Sequence, residues 1–211
     1  TKDFIQCPGA PPADDVDSHG CIIQPESDPE TPVLTAITCP DATTYTSNSG
    51  ARWFLCDVPG SEEYSPYGAS HPISYMIPKE ENFSDARLRM YLHPSNPSGS
   101  FVTGSSSFAY RQDTVEIHPA ETQFSGEPTG WWGYSGNNVG KAGNYNGNQI
   151  AAGIDYVLDK YPDRITIEKG IYLVGKSLGG AGAFIQALIM PKYQDKIAIA
   201  DNIIGMMMAP K

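Results

Sequence analysis

The pattern of hydrophobic and polar positions predicts alternating strands and helices in the second half of the chain. Residues 171–174 form a short apolar run with β-branched members, which indicates a buried strand. Residues 148–161 repeat apolar positions at helical spacing behind an asparagine-rich start that suits a helix cap. Residues 183–190 are good helix formers. Helix, strand and helix in this order predict a right-handed crossover in a parallel sheet.

The first half of the chain contains shorter strand signals separated by loops. Alternating patterns predict strands at residues 73–77, 86–93 and 114–118, and short runs at 33–39 and 51–58 flank a polar turn. A Gly-, Trp- and Asn-rich segment at 120–147 is too long for a simple connection, which is typical of site walls and lids. We expect its Trp131, Trp132 and Tyr134 to line an apolar substrate pocket, with ordinary packing as the alternative. A last buried strand is predicted within 196–208.

Composition narrows the possible partners and the compartment. The 211 residues suffice for one main domain with an appendage, and the formal net charge of −10 argues against nucleic acid and anionic membranes as partners. No apolar run approaches the ~20 residues of a membrane span. Abundant Gly, Pro, Ser, Thr, Asn and Tyr are typical of exported proteins, and Thr1 is expected to be a mature or processed start.

The four cysteines, Cys7, Cys21, Cys39 and Cys56, all lie in the first 56 residues. An even number in a Pro-rich polar stretch predicts two disulfides and an oxidising compartment. Of the three possible connectivities we favour Cys7–Cys21 with Cys39–Cys56. A zinc site is the alternative, although no histidine stands at ligand spacing near both pairs. Residues 33–70 are predicted to form a small disulfide-clipped β segment.

Residues 1–32 are predicted to form a Pro- and Asp-rich linker. Their stretch from Cys7 to Cys21 resembles the tail of a thrombospondin type-3-like repeat, whose alternating aspartates bind calcium. Only Asp15 and Asp17 keep the alternation here, and His19 replaces the usual acid. The resemblance implies a possible calcium site, and a disulfide-pinned spacer without a metal is the alternative. Nothing else in the sequence predicts a cofactor.

Residues 175–179 read Gly-Lys-Ser-Leu-Gly, a G-x-S-x-G between the predicted strand and the predicted helix. In this context the serine lies on a sharp strand-to-helix turn, and the flanking glycines remove side chains that would clash. The N–H groups and the positive dipole end of the following helix point to an anion that forms beside the serine. The alternative is a glycine-rich turn in an ordinary α/β domain.

This stretch resembles the nucleophile elbow of the α/β-hydrolase superfamily, in its secreted esterase and polyester-depolymerase-like branches. The similarity implies an α/β fold for residues 71–211, with a doubly wound, mostly parallel sheet that lacks its C-terminal part. It implies Ser177 as the nucleophile of carboxylic-ester hydrolysis and the Leu178 N–H as one oxyanion donor. The second donor normally follows an early strand as His-Gly, but this chain carries His93–Pro94 and His118–Pro119, so no second donor is assigned.

A serine nucleophile needs a base, which is normally a histidine that follows the serine in this superfamily. All four histidines, namely His19, His71, His93 and His118, precede Ser177. Three explanations remain open. The acid and histidine lie beyond Lys211 in a longer protein; His93 or His118 has taken over as base; or the domain is a non-catalytic module for binding or display. Asp201 lies a strand too early for the usual acid and is left unassigned.

The sequence therefore predicts a secreted, bacterial serine hydrolase acting on a small-molecule or polymeric ester, completed by a C-terminal part of the same protein. A binding or structural module of a surface assembly and a serine peptidase on the same fold are the alternatives.

Overall fold

A computed structural model describes most of the chain from Leu34 onwards. The described residues are 34–41, 43, 45–46, 50–61, 63–64, 70–80, 83–94, 113–120, 123–124, 127–128, 131, 144–190 and 192–203. The chain divides into two units, Thr1–Pro32 and Val33–Lys211. The predicted Cys7–Cys21 disulfide and the possible calcium site lie outside the described residues, as do Trp132 and Tyr134.

The second unit is built on a mixed seven-stranded sheet. The strands are β1 (Tyr45–Thr46), β2 (Arg52–Val58), β3 (His71–Ile77), β4 (Arg87–Leu92), β5 (Thr114–Pro119), β8 (Ile171–Lys176) and β9 (Ile197–Ile203), in the order β1-β2-β3-β5-β4-β8-β9. The first three are antiparallel to their neighbours, whereas β5, β4, β8 and β9 run parallel. A two-stranded ribbon joins β6 (Gln123–Phe124) and β7 (Glu127–Pro128). The predicted α/β class is confirmed, and the sheet of the described strands is mixed, with three parallel and three antiparallel pairings.

Two helices, α1 (Tyr145–Lys160) and α2 (Leu178–Ile189), pack on the same face of this sheet. Gly153 of α1 lies against Ile73 and Ile117, and Asn144 Nδ2 donates to Ile189 O of α2 at 2.6 Å. Helix α1 begins three residues earlier than its apolar pattern predicts. Asn144 explains the difference, because its side-chain oxygen accepts from Gly147 N at 3.0 Å and caps the first turn.

The core lies between the two helices and this sheet face. Alternate residues of the central strands point into it and are fully buried, and the apolar face of α1 covers them. The principal side chains are Leu88, Met90, Leu92, Ile117, Ile150, Ile154, Ile171 and Leu173. Burying each such aliphatic side chain contributes roughly 1.5–3 kcal/mol, so this layer holds the parallel strands and both helices together.

Strand β2 belongs to the main sheet rather than to a separate clip. It pairs with β3 along its whole length, from Arg52 opposite Ile77 to Val58 opposite His71. The sheet therefore continues past the expected boundary at residue 71, because the alternate residues of β2 extend the buried face of β3. The predicted Cys39–Cys56 disulfide is present, with Cα atoms 4.2 Å apart. Described residues 34–39 form only one bridge, at Thr38, instead of a strand.

Candidate active site

Ser177 lies on the turn between the end of β8 and the start of α2, as the sequence predicts. Its backbone has φ 54° and ψ −119°, a strained conformation for a residue with a Cβ, and the residue is exposed. The strain and the exposure occur together because the chain must reverse direction within one residue to pass from strand to helix. The side chain is thereby held clear of the sheet.

Steric contacts explain the two glycines of the motif. A Cβ at Gly175 would overlap the Gly179 carbonyl group, and a Cβ at Gly179 would overlap the carbonyl oxygens of Leu92 and His93. The turn therefore closes tightly on itself and lies directly against the end of β4. Since β4 is the sheet neighbour of β8, Leu92 and His93 at the end of β4 lie next to the elbow.

The amino end of α2 faces the elbow with backbone N–H groups. The N–H groups of Gly180 and Ala181 bond to Ser177 O at 3.0 and 3.3 Å. Leu178 is the first helical residue, and its N–H has no carbonyl one turn earlier within the helix. The first turn contains no acidic side chain that would compete for this N–H. The arrangement suits the stabilisation of a negative oxygen beside Ser177, and the oxyanion role of Leu178 stays a prediction.

His93 follows β4 and is buried, with 1% of its surface exposed. Its Nδ1 lies 2.6 Å from Pro94 O. A carbonyl oxygen only accepts, so Nδ1 carries the proton. Burial lowers the pKa of His93 to about 4, with an opposing effect of the Pro94 hydrogen bond, and the ring is neutral at pH 7. Because His93 is almost fully buried whereas Ser177 is exposed, its ring is poorly placed to take a proton from Ser177.

His118 lies one strand farther from the elbow, in β5, on the sheet face opposite the helices. Its Nε2 contacts Glu116 Oε1, and the other carboxylate oxygen of Glu116 pairs with Arg89. Its ring lies 4.9 Å from that of Trp53 and 5.0 Å from that of Tyr91. Burial lowers the pKa of His118, and the positive charge of Arg89 adds to the effect. We call Arg89, Glu116 and His118 the buried charge cluster; its position rules out His118 as a base for Ser177.

Trp131 does not line a pocket, so the expectation for this residue is wrong. Its side chain is fully buried between the end of β4 and α2. Its Nε1–H donates to His93 O at 3.0 Å, and its ring meets that of His93 edge to face at 4.9 Å. The packing alternative holds because Gly182 leaves room on α2 for the indole.

The sequence reasoning missed two groups of polar residues. One is the buried charge cluster, for which the signal was an acid and a histidine at alternate positions of an apolar strand. The other connects Gln186 to Trp131 O at 2.5 Å and to Asn144 Oδ1 at 3.0 Å. A glutamine amid the apolar residues of α2 was the signal. Asp201 lies within β9 opposite Val174 and is exposed.

The described residues contain no group of three or more His, Cys, Asp or Glu side chains arranged to hold a metal ion. In the same part of the chain, no helix combines the length and apolar character that a membrane crossing requires.

Comparisons with known proteins add to this picture at the level of solved structures. No protein-family model matches the sequence, and a comparison with curated proteins finds no match. Similar structures include an S-formylglutathione hydrolase from Agrobacterium tumefaciens, which is 14% identical with a TM-score of 0.46 over 73% of this chain and 57% of that one. Another is an S-formylglutathione hydrolase from Staphylococcus aureus, which is 17% identical with a TM-score of 0.47 over 70% of this chain and 55% of that one.

A third similar structure is a cold-adapted esterase from an Arctic intertidal metagenomic library. It is 14% identical with a TM-score of 0.45, and the match covers 76% of this chain and 60% of that one. The chain thus spans between 55% and 60% of the length of these three proteins. The described residues form an α/β fold with a strand–turn–helix elbow at Ser177.

Proposed function

We propose that this chain carries the nucleophile of a serine hydrolase that cleaves a carboxylic ester through an acyl-enzyme on Ser177. The observation that carries the proposal is the exposed serine at φ 54° between β8 and α2. A serine held at such a strained turn presents its Oγ to solvent in a defined direction. An ordinary connection in an α/β domain has no need of this backbone conformation.

The reaction uses the elbow in two steps. Ser177 Oγ attacks the ester carbonyl while a base takes its proton, and the negative carbonyl oxygen is stabilised by the Leu178 N–H and by the amino end of α2. Collapse releases the alcohol, which takes the proton, and leaves an acyl group on Ser177. Water then attacks the acyl carbonyl by the same route and releases the acid.

We propose that the base and its acid partner lie beyond Lys211 in the complete protein. His93 is almost fully buried at the end of β4, and His118 lies on the sheet face away from both helices beside Glu116. Helix α2 supports the proposal because it carries exposed apolar side chains and no charge: Leu188 is 72% exposed, and Phe184 and Ile189 are also exposed. Contiguous apolar surface of this kind is normally covered by further protein. A C-terminal part of the same polypeptide would cover it and bring the missing groups to Ser177.

The substrate class and the compartment are also proposals. The formal net charge of −10 disfavours strongly anionic substrates, so we propose a neutral small-molecule or polymeric ester. The Cys39–Cys56 disulfide supports an oxidising compartment and therefore a secreted protein.

Covalent labelling with a fluorophosphonate tests the function. The probe would be applied to this chain and to the product of the complete gene, with Ser177→Ala as the test variant and exposed Ser84→Ala as the matched control. We expect labelling of the complete product that Ser177→Ala abolishes and Ser84→Ala retains. An unlabelled complete product would favour the non-catalytic module. A labelled product that cleaves peptides but not esters would favour the peptidase.

A further inference from the structure

Trp131 joins the end of β4 to the elbow helix. Its indole Nε1–H donates to His93 O at 3.0 Å, and its Cβ and ring pack on Gly182, in the second turn of α2. The same His93 carbonyl oxygen is one of the atoms that Gly179 approaches. One buried side chain therefore holds the carbonyl group that lies against the elbow.

The backbone of Trp131 is itself fixed from the helix side. Its carbonyl accepts from Gln186 Nε2 at 2.5 Å, and its φ of 69° is unusual for a residue with a large side chain. Gln186 also donates to Asn144 Oδ1, the cap of α1, at 3.0 Å. Residues of both helices on this face therefore hold Trp131. The Gln186 hydrogen bonds keep its backbone in the unusual conformation.

The contacts close a ring of interactions around the elbow. The ring runs from the end of β4 through Trp131 to Gly182 on α2, back along α2 to Gly179, and from Gly179 to the end of β4. His93 extends the arrangement, since its Nδ1–H holds the next carbonyl, that of Pro94. Two successive carbonyl groups at the end of β4 are therefore tied in place beside the elbow.

We propose that Trp131 is a positioning residue that clamps the C-terminal end of β4 against the elbow helix and so sets the geometry in which the Leu178 N–H meets the reacting ester. This inference rests on the proposed function, because the clamp matters to catalysis only if Ser177 is the nucleophile. Displacements of about 1 Å in groups that stabilise a transition state cost on the order of 100-fold in rate. A buried clamp at this position limits such displacements.

The test compares Trp131→Phe with Trp53→Phe in the complete gene product. Phenylalanine keeps an aromatic ring and removes the indole N–H. Trp53 is a matched control because it is also buried, but lies beside His118 on the opposite sheet face. Amide hydrogen exchange would be measured over residues 176–184, together with kcat and KM per titrated Ser177 for an aryl ester.

For Trp131→Phe we expect elbow amides to exchange about tenfold faster and kcat to fall about tenfold with KM unchanged, because the hydrogen bond to His93 O is lost at the clamp. Trp53→Phe should change neither quantity more than about twofold. If Trp131→Phe does not fold, the test uses benzothienylalanine at position 131 instead. This residue keeps the shape of the indole but lacks its N–H.

The outcomes separate the clamp from the proposed function. Elbow exchange equal to that of Trp53→Phe, or a change confined to KM or to the unfolding midpoint, overturns the positioning role. If the wild type shows no turnover that depends on Ser177, the proposed function fails and the catalytic part of this inference fails with it. Hydrogen exchange then still decides whether Trp131 clamps the elbow.

Discussion

The dipeptide His-Pro occurs three times, at the start of β3 (His71–Pro72) and at the ends of the neighbouring parallel strands β4 and β5, and the last two copies have different surroundings. His93–Pro94 follows β4 and lies against the elbow, where Trp131 and the His93 ring tie its carbonyl groups. His118–Pro119 ends β5, where the imidazole joins Glu116 and Arg89 on the sheet face away from both helices.

The difference follows from the order of the strands in the sheet. Strand β4 is paired with β8, which carries the elbow at its end, whereas β5 is separated from β8 by β4. The same two residue types therefore serve the candidate active site in one place and the stability of the sheet in the other. Three predictions, in order of decreasing effect, test this division.

The largest effect is expected at the β5 copy. Replacing Glu116 by Ala removes the shared partner of His118 and Arg89 and leaves the half-buried Arg89 charge without this carboxylate. We expect the free energy of unfolding to fall by about 3–5 kcal/mol, measured by urea denaturation. Exposed Glu168→Ala is the control and should change it by less than about 0.5 kcal/mol. A loss below about 1 kcal/mol at Glu116 would show that the cluster does not stabilise the sheet.

The two histidines should act alike on the pH dependence of stability, although their surroundings differ. Both are neutral in the folded protein because burial lowers their pKa values, to about 4 for His93, whereas unfolding restores a value near 6.5. The unfolded state therefore binds more protons below pH 6.5, and stability is lost as the pH falls from 7 towards 4. For His93 the loss between pH 7 and pH 5 is about 2 kcal/mol.

Urea denaturation of the wild type and of His93→Asn at pH 7 and pH 5 measures this contribution. Asparagine does not titrate and retains an N–H donor towards Pro94 O. The variant should lose about 2 kcal/mol less than the wild type between the two pH values. An identical pH dependence in both proteins would mean that His93 titrates normally in the folded state.

The smallest effect is expected at the elbow itself. Glycine adopts the backbone conformation of Ser177 at little steric cost, so Ser177→Gly should raise the free energy of unfolding by about 1 kcal/mol while it removes the nucleophile. Ser84→Gly, at an exposed position, is the control and should not stabilise. A variant at position 177 that is no more stable than the wild type would mean that the turn stores no strain.

Much of the elbow could be predicted because its signals are local. The β-branched run before Gly175, the spacing of the two glycines around Ser177 and the helix formers after Gly180 lie within twenty residues and act on each other along the chain. The Cys39–Cys56 pair was also within reach of sequence reasoning, since the four cysteines allow few connectivities.

The surroundings of the elbow could not be predicted in the same way. The long Gly- and aromatic-rich segment predicts a pocket-lining role for Trp131, whereas its burial depends on Gly182, which lies 51 positions later. The local pattern predicts that β2 belongs to a small disulfide-clipped segment at residues 33–70. Its pairing with β3 is a long-range contact that no local pattern reports.

The sequence by itself determined the elements of the parallel strands, the strand–turn–helix at Ser177 and the position of the four histidines of residues 1–211 before this serine. Backbone propensities, glycine sterics and apolar periodicity act over a few residues. The local sequence is therefore enough to predict their effects on structure. Only the tertiary structure decided that His93–Pro94 lies at the elbow and that His118, before Pro119, lies in the buried charge cluster. The burial of apolar faces across the whole sheet sets the strand order. The strand order in turn determines which residues surround each histidine.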